Sequence, residues 1–293
     1  MIIDKKMAET SAQQNTSAPQ EVSHETTLFS EPIAHVGNFA ITNSLIMSWL
    51  TVIILVTFFI LVGKKIAKKG KAKKAPKGIQ NFFEILLEQA LDMADSATGD
   101  RKKTIKFLPV VLALFLFILV NNWLGLLPGV GTIGFVETSN GHSAFVPYLR
   151  GGTADLNTTL ALSLFAVILS HILGVVWIGV WNHLNKFINF KAFLQIAGHV
   201  RKDPMVLIVN PIKAFVSVIE FIGEIAKVAS LSLRLFGNIF AGEVLLGSMM
   251  AIFAFLLPLP FMFLEIIVGI VQALVFAILT LVFMSIATTA EEH

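Results

Sequence analysis

The sequence predicts an all-α polytopic membrane protein, and three observations carry that prediction. Of 293 residues, 55% are hydrophobic and 14% charged, against about 25% charged in an ordinary soluble domain. Several charge-free apolar runs of roughly 18 to 25 residues follow one another, each long enough to cross a bilayer. The strand-like alternation that a membrane barrel needs is absent. About five membrane-embedded helices and one amphipathic interfacial helix are expected. The chain has no cysteine, so disulfides and thiolate ligands are excluded. Its lysines gather in one block with no nucleic-acid module, so nucleic acid is not an expected partner.

Residues 1–42 read as a polar extracytoplasmic tail and residues 43–293 as the membrane domain. The tail is rich in Ser, Thr, Gln and Glu, and no long apolar run follows closely enough for a cleaved signal peptide. Its last stretch, HVGNFAITNS, is expected to be ordered near the membrane. The first span covers about 45–63. Eight lysines follow between Lys64 and Lys77, and positive charge beside a span stays in the cytoplasm. The N-terminus therefore lies outside. An anionic-lipid site is the other meaning of such a block.

Residues 79–96 (IQNFFEILLEQALDMADS) place Phe82, Phe83, Leu86, Leu87, Ala90 and Met93 on one face and acids off it. This amphipathic helix suits the membrane surface or a partner. The second span, 107–127, ends in NNWLGLLPG, where Pro and Gly stop a helix. The loop to Thr153 carries one Lys or Arg, Arg150, which fits an outside loop. Asp155 is a plausible N-cap for the third span, 156–181, with Asn157 and Thr158 close by. Lys186, Lys191, Arg201 and Lys202 return the chain inside. The helical pattern over 206–257 would be roughly 75 Å long, against a hydrocarbon core of about 30 Å, so it bends, tilts or begins in the interface. Pro258 and Pro260 close a tight turn. The last span, 261–287, brings the C-terminus to the cytoplasm.

The chemistry gathers in the long helix at SLSLRLFGNIFAGE, residues 230–243. Glu220, Lys227 and Arg234 are seven apart and fall within about 40° of one another on a helix, with Ser230 and Asn238 one turn either side of Arg234. Gly223, Gly237 and Ala241 lie on or beside that face, where a neighbouring helix can come close. A charge at bilayer depth marks a functional site by default. A buried salt bridge to Glu243 or Glu265 within the chain is the other reading of Arg234. Lys227 and Glu220 equally suit an interfacial ion pair, and Gln272 a helix–helix hydrogen bond. The tight turn sets Glu243 and Glu265 at similar depths, where they can face each other; two close carboxylates form a potential proton relay. His171 is a lone histidine on an apolar helix, a packing residue or a proton carrier. His171, His183 and His199 are not at ligand spacing, so no metal is expected. A secondary transporter would also bury Arg and Glu, but its inverted repeats and paired broken helices are not visible here.

These motifs resemble subunit a of the F-type ATP synthase, the stator subunit beside the rotating c-ring. The likeness rests on SLSLRLFGNIFAGE and extends to NNWLGLLPG, DLNTTLAL, VQALVFAILTLVFMSIA and the EEH terminus, from about His35 onward. It implies no cofactor and no catalytic site of the chain's own. The partners it implies are the c-ring, subunit b of the peripheral stalk and membrane lipid, in the cell's inner membrane. Arg234 then matches the stator arginine facing rotor carboxylates. Asn238, Glu243, Glu265 and Gln272 match the proton path, and Glu220, with Lys227, its cytoplasmic side. Ser230, Asp155 and Asn157 are further candidates. The last two helices are expected to be steeply tilted as a hairpin. Many bacterial relatives pair an acid with a histidine where this chain has Glu243 and Glu265; His171 is a candidate to supply that histidine.

Overall fold

The computed structural model describes residues 28–69, 79–139, 142–187, 206–253 and 256–289. Most of the N-terminal tail, the lysines from Lys71 to Lys77, His199 and the terminal Glu291, Glu292 and His293 lie outside the described residues. In order, the elements are β1 (Pro32–Val36), β2 (Phe39–Thr42), α1 (Asn43–Lys69), α2 (Ile79–Thr98), α3 (Arg101–Gly125), β3 (Gly134–Ser139), β4 (His142–Pro147), α4 (Leu156–Ile178), α5 (Val180–Phe187), α6 (Val206–Ile252) and α7 (Pro258–Ala287). Five of these helices (α1, α3, α4, α6 and α7) are long and apolar enough to span a bilayer. The chain is an all-α polytopic membrane protein with two small antiparallel hairpins, β1–β2 and β3–β4, outside its helices.

Local chemistry sets the helix ends. Asp100 caps α3, its carboxylate accepting from the Lys102 amide at 2.8 Å. Gly99 takes φ +66° just before it, a conformation that favours glycine, and so lets α2 turn directly into α3. Asp155 caps α4 through the Asn157 amide at 3.1 Å. Gly179, at φ +92°, ends α4 three residues short of the expected limit and starts α5 on a new course. Pro258 sits at the start of α7 instead of in the preceding turn; at N1 its missing N–H costs no hydrogen bond. Helix α6 runs 47 residues, about 70 Å at 1.5 Å per residue.

Helix α3 packs along α7, and α4 packs against both α6 and α7. One buried cluster joins Ala94, Phe107, Leu108, Val111, Ala277, Leu281 and Met284. A second, further along the helices, joins Leu114, Ile118, Ala166, Leu231, Leu235, Ala273 and Phe276. Ala166 and Ala273 are fully buried, and such small residues let helices in lipid come into van der Waals contact. Helix α1 stays at the edge, with Ile53, Val56, Phe59 and Leu61 exposed to what in a membrane is lipid.

Polar side chains lock the end of the bundle where α3 stops. Asn122 donates to the Gly269 carbonyl at 3.2 Å and accepts from the Thr153 hydroxyl at 2.5 Å. Asn121 accepts from the Gly152 amide at 2.8 Å. The Asp155 carboxylate also accepts from the hydroxyls of Ser30, Ser44 and Thr158. At the opposite end, Lys103 donates to the Thr288 carbonyl at 3.3 Å, tying the start of α3 to the end of α7.

A Cβ added at Gly152 would lie 2.7 Å from Ser48 Oγ and 2.8 Å from the Asn121 amide. Asn121 cannot retreat without losing its bond to the Gly152 amide. The prediction is that Gly152→Val lowers the amount of assembled protein several-fold and its melting temperature in detergent, while Gly63→Val, where an added Cβ meets nothing within 4 Å, leaves assembly unchanged.

Candidate functional site

Helix α6 presents its polar residues as one open face. Arg234, Ser230 and Asn238 are exposed, and Lys227 and Glu220 are half-buried on the same line. Arg234 donates from Nη2 to Ser230 Oγ at 3.3 Å. Among the described residues it has no carboxylate within ion-pair distance. In front of it runs a groove lined by Gly223, Ala226, Lys227, Ser230, Arg234 and, from α7, Phe283. A Cβ at Gly223 or Gly237 would meet nothing within 4 Å. The guanidinium is thus held by its own helix and turned towards vacant space.

Lys227 is tied down differently. Its Nζ lies 2.6 Å from Glu224 Oε1 and 5.2 Å above the Phe283 ring. The ion partner that sequence reading offered was Glu220, seven residues away; the contact found is with Glu224, one turn away on the same helix. The i, i+3 spacing of Glu224 and Lys227 is the sequence signal for this contact.

The expected Glu243–Glu265 contact is replaced by two separate arrangements. Glu243 is held by Arg150, whose Nε lies 3.1 Å from Oε1 and whose Nη2 lies 3.0 Å from Oε2. The Arg150 side chain is only 4% exposed and also donates to the Phe29 carbonyl at 3.3 Å. Glu265 is buried on α7, its carboxyl resting on Gly242; a Cβ there would overlap it. The hairpin does bring Glu265 to the level of Glu243, but it docks against the neighbouring glycine. Gln272 is half-buried two turns beyond Glu265. Arg150 is the residue sequence reasoning missed: a lone arginine in a loop reads as a topology marker, and its partner lies 93 positions away.

His171 does not join that pair. Its Nε2 lies 3.3 Å from Glu224 Oε2 and its Nδ1 3.2 Å from His183 Nε2. Glu224 is nineteen residues from Glu243 on one helix, roughly 28 Å at 1.5 Å per residue, so His171 cannot complete a relay there. The side chain of Asn157 is exposed, while Asp155 is 2% exposed and fully occupied by its cap and the serines of the N-terminal segment.

A family model described as ATP synthase A chain matches residues 45–285. The chain belongs to that family. ATP synthase subunit a of Syntrophobacter fumaroxidans is 32% identical over 248 residues, 84% of this chain and 84% of its own. That of Mycobacterium ulcerans is 33% identical over 227 residues, 76% of this chain and 79% of its own. That of Geobacter sulfurreducens is 30% identical over 241 residues, 82% and 85% of the two chains. Membership makes the chain a multi-pass membrane-sector subunit of a proton-transporting ATP synthase, assembled within that complex.

In this ATP synthase subunit the Arg150–Glu243 pair invites a direct test. Arg150 is buried but the Glu243 side chain is 32% exposed, so losing one partner strands a charge at less than the roughly 3–5 kcal/mol of a fully buried pair, and losing both strands none. The prediction is that Arg150→Gln sharply lowers the amount of assembled complex and that Arg150→Gln with Glu243→Gln restores much of it. Quantifying the subunit in solubilised ATP synthase checks this; no recovery in the double variant contradicts a mutual pair.

Proposed function

We propose that this subunit forms two proton half-channels against the rotating c-ring, with Arg234 between them. One observation carries the reading. A guanidinium in an apolar helix faces open space among small residues, and among the described residues no carboxylate of its own chain neutralises it. A charge held at bilayer depth without a counter-ion costs a few kcal/mol or more, so its counter-charge comes from a partner. A carboxylate on a passing rotor helix fits, and the groove gives it access.

The mechanism follows from the cost of charge in lipid. A protonated rotor carboxyl crosses the lipid face cheaply and an ionised one does not. Beside Arg234 the rotor carboxyl is favoured as the anion and loses its proton to the side of Glu220 and Lys227. Reprotonation comes from the side of Glu243, Glu265, Gln272 and Asn238, where buried Glu265 is the proton-carrying acid and Arg150 fixes Glu243 beside it. The fixed guanidinium repels a proton that would pass directly between the two sides. Arg suits this post better than Lys because it stays charged in a dry site. Each charge moved through about 100 mV delivers roughly 2.3 kcal/mol.

The polar side chains of Asp155 and Asn157 support a structural clasp at the outer end of α4. The lysines after α1 and the start of α3 support a cytoplasmic position for that end of the bundle. The reading takes the N-terminus to lie outside, the C-terminus in the cytoplasm and the chain in the cell's inner membrane. The exposed leucines of α2, Leu86 and Leu87, support a contact with lipid or with subunit b of the peripheral stalk.

Two outcomes test the reading. Arg234→Ala is expected to abolish proton-driven ATP synthesis while the complex still assembles; near-normal synthesis would contradict it. Glu265→Gln is expected to slow proton uptake by about a hundredfold, the usual scale for losing a positioned proton carrier. Proton flux in membrane vesicles measures it, and an unchanged flux would remove Glu265 from the path.

A further inference from the structure

Helices α4, α5 and α6 bring three ionisable side chains that the proposed path does not use into line with Lys227, which it does. Lys227 Nζ lies 2.6 Å from Glu224 Oε1, Glu224 Oε2 lies 3.3 Å from His171 Nε2, and His171 Nδ1 lies 3.2 Å from His183 Nε2. The fold makes specific room for it. Gly179, at φ +92°, turns the chain so that α5 brings His183 back under α4. A Cβ at Gly174 would lie 2.6 Å from the His183 ring, so only a glycine lets the imidazole lie there. His183 is 5% exposed, while the side chain of His171 is 29% exposed and that of Glu224 16%.

The line begins where the groove ends. Gly223, Lys227 and Arg234 all line the groove, and Glu224 is next to Gly223 in the chain. From Arg234 to Glu224 is ten residues, about 15 Å, towards the end of the bundle where Lys103 meets Thr288. The groups facing His171 are Glu224 from α6, with Lys227 behind it, and His183 from α5. From α3, Lys103 and Lys106 lie over Trp177, further along α4. Within its described range α7 carries one acid, Glu265, at its far end.

Resting on the half-channel reading above, we propose that the Glu224–His171–His183 cluster is a proton-transfer station of the cytoplasmic half-channel, additional to Glu220. A proton coming down the groove reaches the Glu224 carboxylate. It passes from Oε2 to Nε2 of His171, whose Nδ1 keeps its own proton against Nε2 of His183, and the imidazolium, with its side chain 29% exposed, then gives one proton to the cytoplasmic medium. One proton enters the cluster and one leaves, and both rings end in the tautomers with which they began. Lys227 compensates the carboxylate between transfers, so the empty cluster carries no net charge. Histidine suits the post because one ring nitrogen can hold a proton while the other accepts one.

The test uses intact ATP synthase in inverted membrane vesicles, where the cytoplasmic face meets the medium. ATP-driven proton pumping per assembled complex is measured from about pH 5.5 to 8.5, spanning the histidine range, for the unaltered protein, His171→Gln and Glu224→Asp. The soluble sector's own pH dependence is common to all and cancels in the ratio of variant to unaltered rate. The expected result is a ratio that changes several-fold across this range. A ratio constant with pH, at any level, makes the cluster a structural brace and overturns the proposal. Glu224→Asp keeps the charge and shortens the reach, so the same criterion applies to it if His171→Gln does not assemble. Arg234→Ala run in parallel separates the two claims. Pumping in that variant would bring down the half-channel reading; a flat ratio with Arg234→Ala inactive would bring down only the station.

Discussion

A guanidinium cannot be neutralised by losing its proton, since its pKa exceeds about 12. Placed in an apolar helix, Arg234 therefore needs a negative partner at all times. Elsewhere the chain supplies such partners itself. Arg150 grips Glu243 with two nitrogens, and Lys227 takes Glu224. At Arg234, among the described residues, it supplies only the Ser230 hydroxyl. Among the described residues the difference separates cations paired with a carboxylate of their own chain from Arg234, which is not.

The architecture serves that one position. Helices α3, α4 and α7 form a packed block through Phe107, Ile118, Ala273 and Leu281. That block buries Leu231 and Leu235 of α6 and so turns Arg234 outward. The asparagines at the end of α3 fix the loop carrying Arg150 and Asp155, which in turn fix Glu243 and the start of α4. Hydrogen bonds of this kind are individually modest in a membrane, about 0.6 kcal/mol on average. Several converging on one loop hold two charged groups in register. The glycines on the open face do the converse: they leave volume unfilled beside Arg234.

Much of this was legible in the sequence. The apolar runs gave the helices, Asp155 gave a cap, and the seven-residue spacing of Glu220, Lys227 and Arg234 gave a shared face. What sequence could not give was azimuth between helices. A tight turn sets Glu243 and Glu265 at equal depth, but the rotation of α7 decides that Glu265 meets Gly242. Arg150 and His171 were unreadable for a related reason. Their partners lie on other elements, and nothing in local spacing encodes them. The two β-hairpins escaped because they sit in polar connections with weak alternation. The lengths of α4 and α7 were each misjudged by a few residues, since Gly179 ends a helix early and Pro258 starts one without penalty.

Because the chain contains no cysteine, a disulfide cross-link reports one contact cleanly. The decisive measurement is oxidation of a single cysteine placed at Asn238, one turn from Arg234, against a single cysteine beside the rotor carboxyl in an otherwise cysteine-free ATP synthase. The account predicts a rapid, high-yield cross-link that stops rotation, and little from a cysteine at Phe236, on the buried face. Equal yield from both positions, or none from Asn238, would mean that no rotor carboxylate passes Arg234, and would contradict the account.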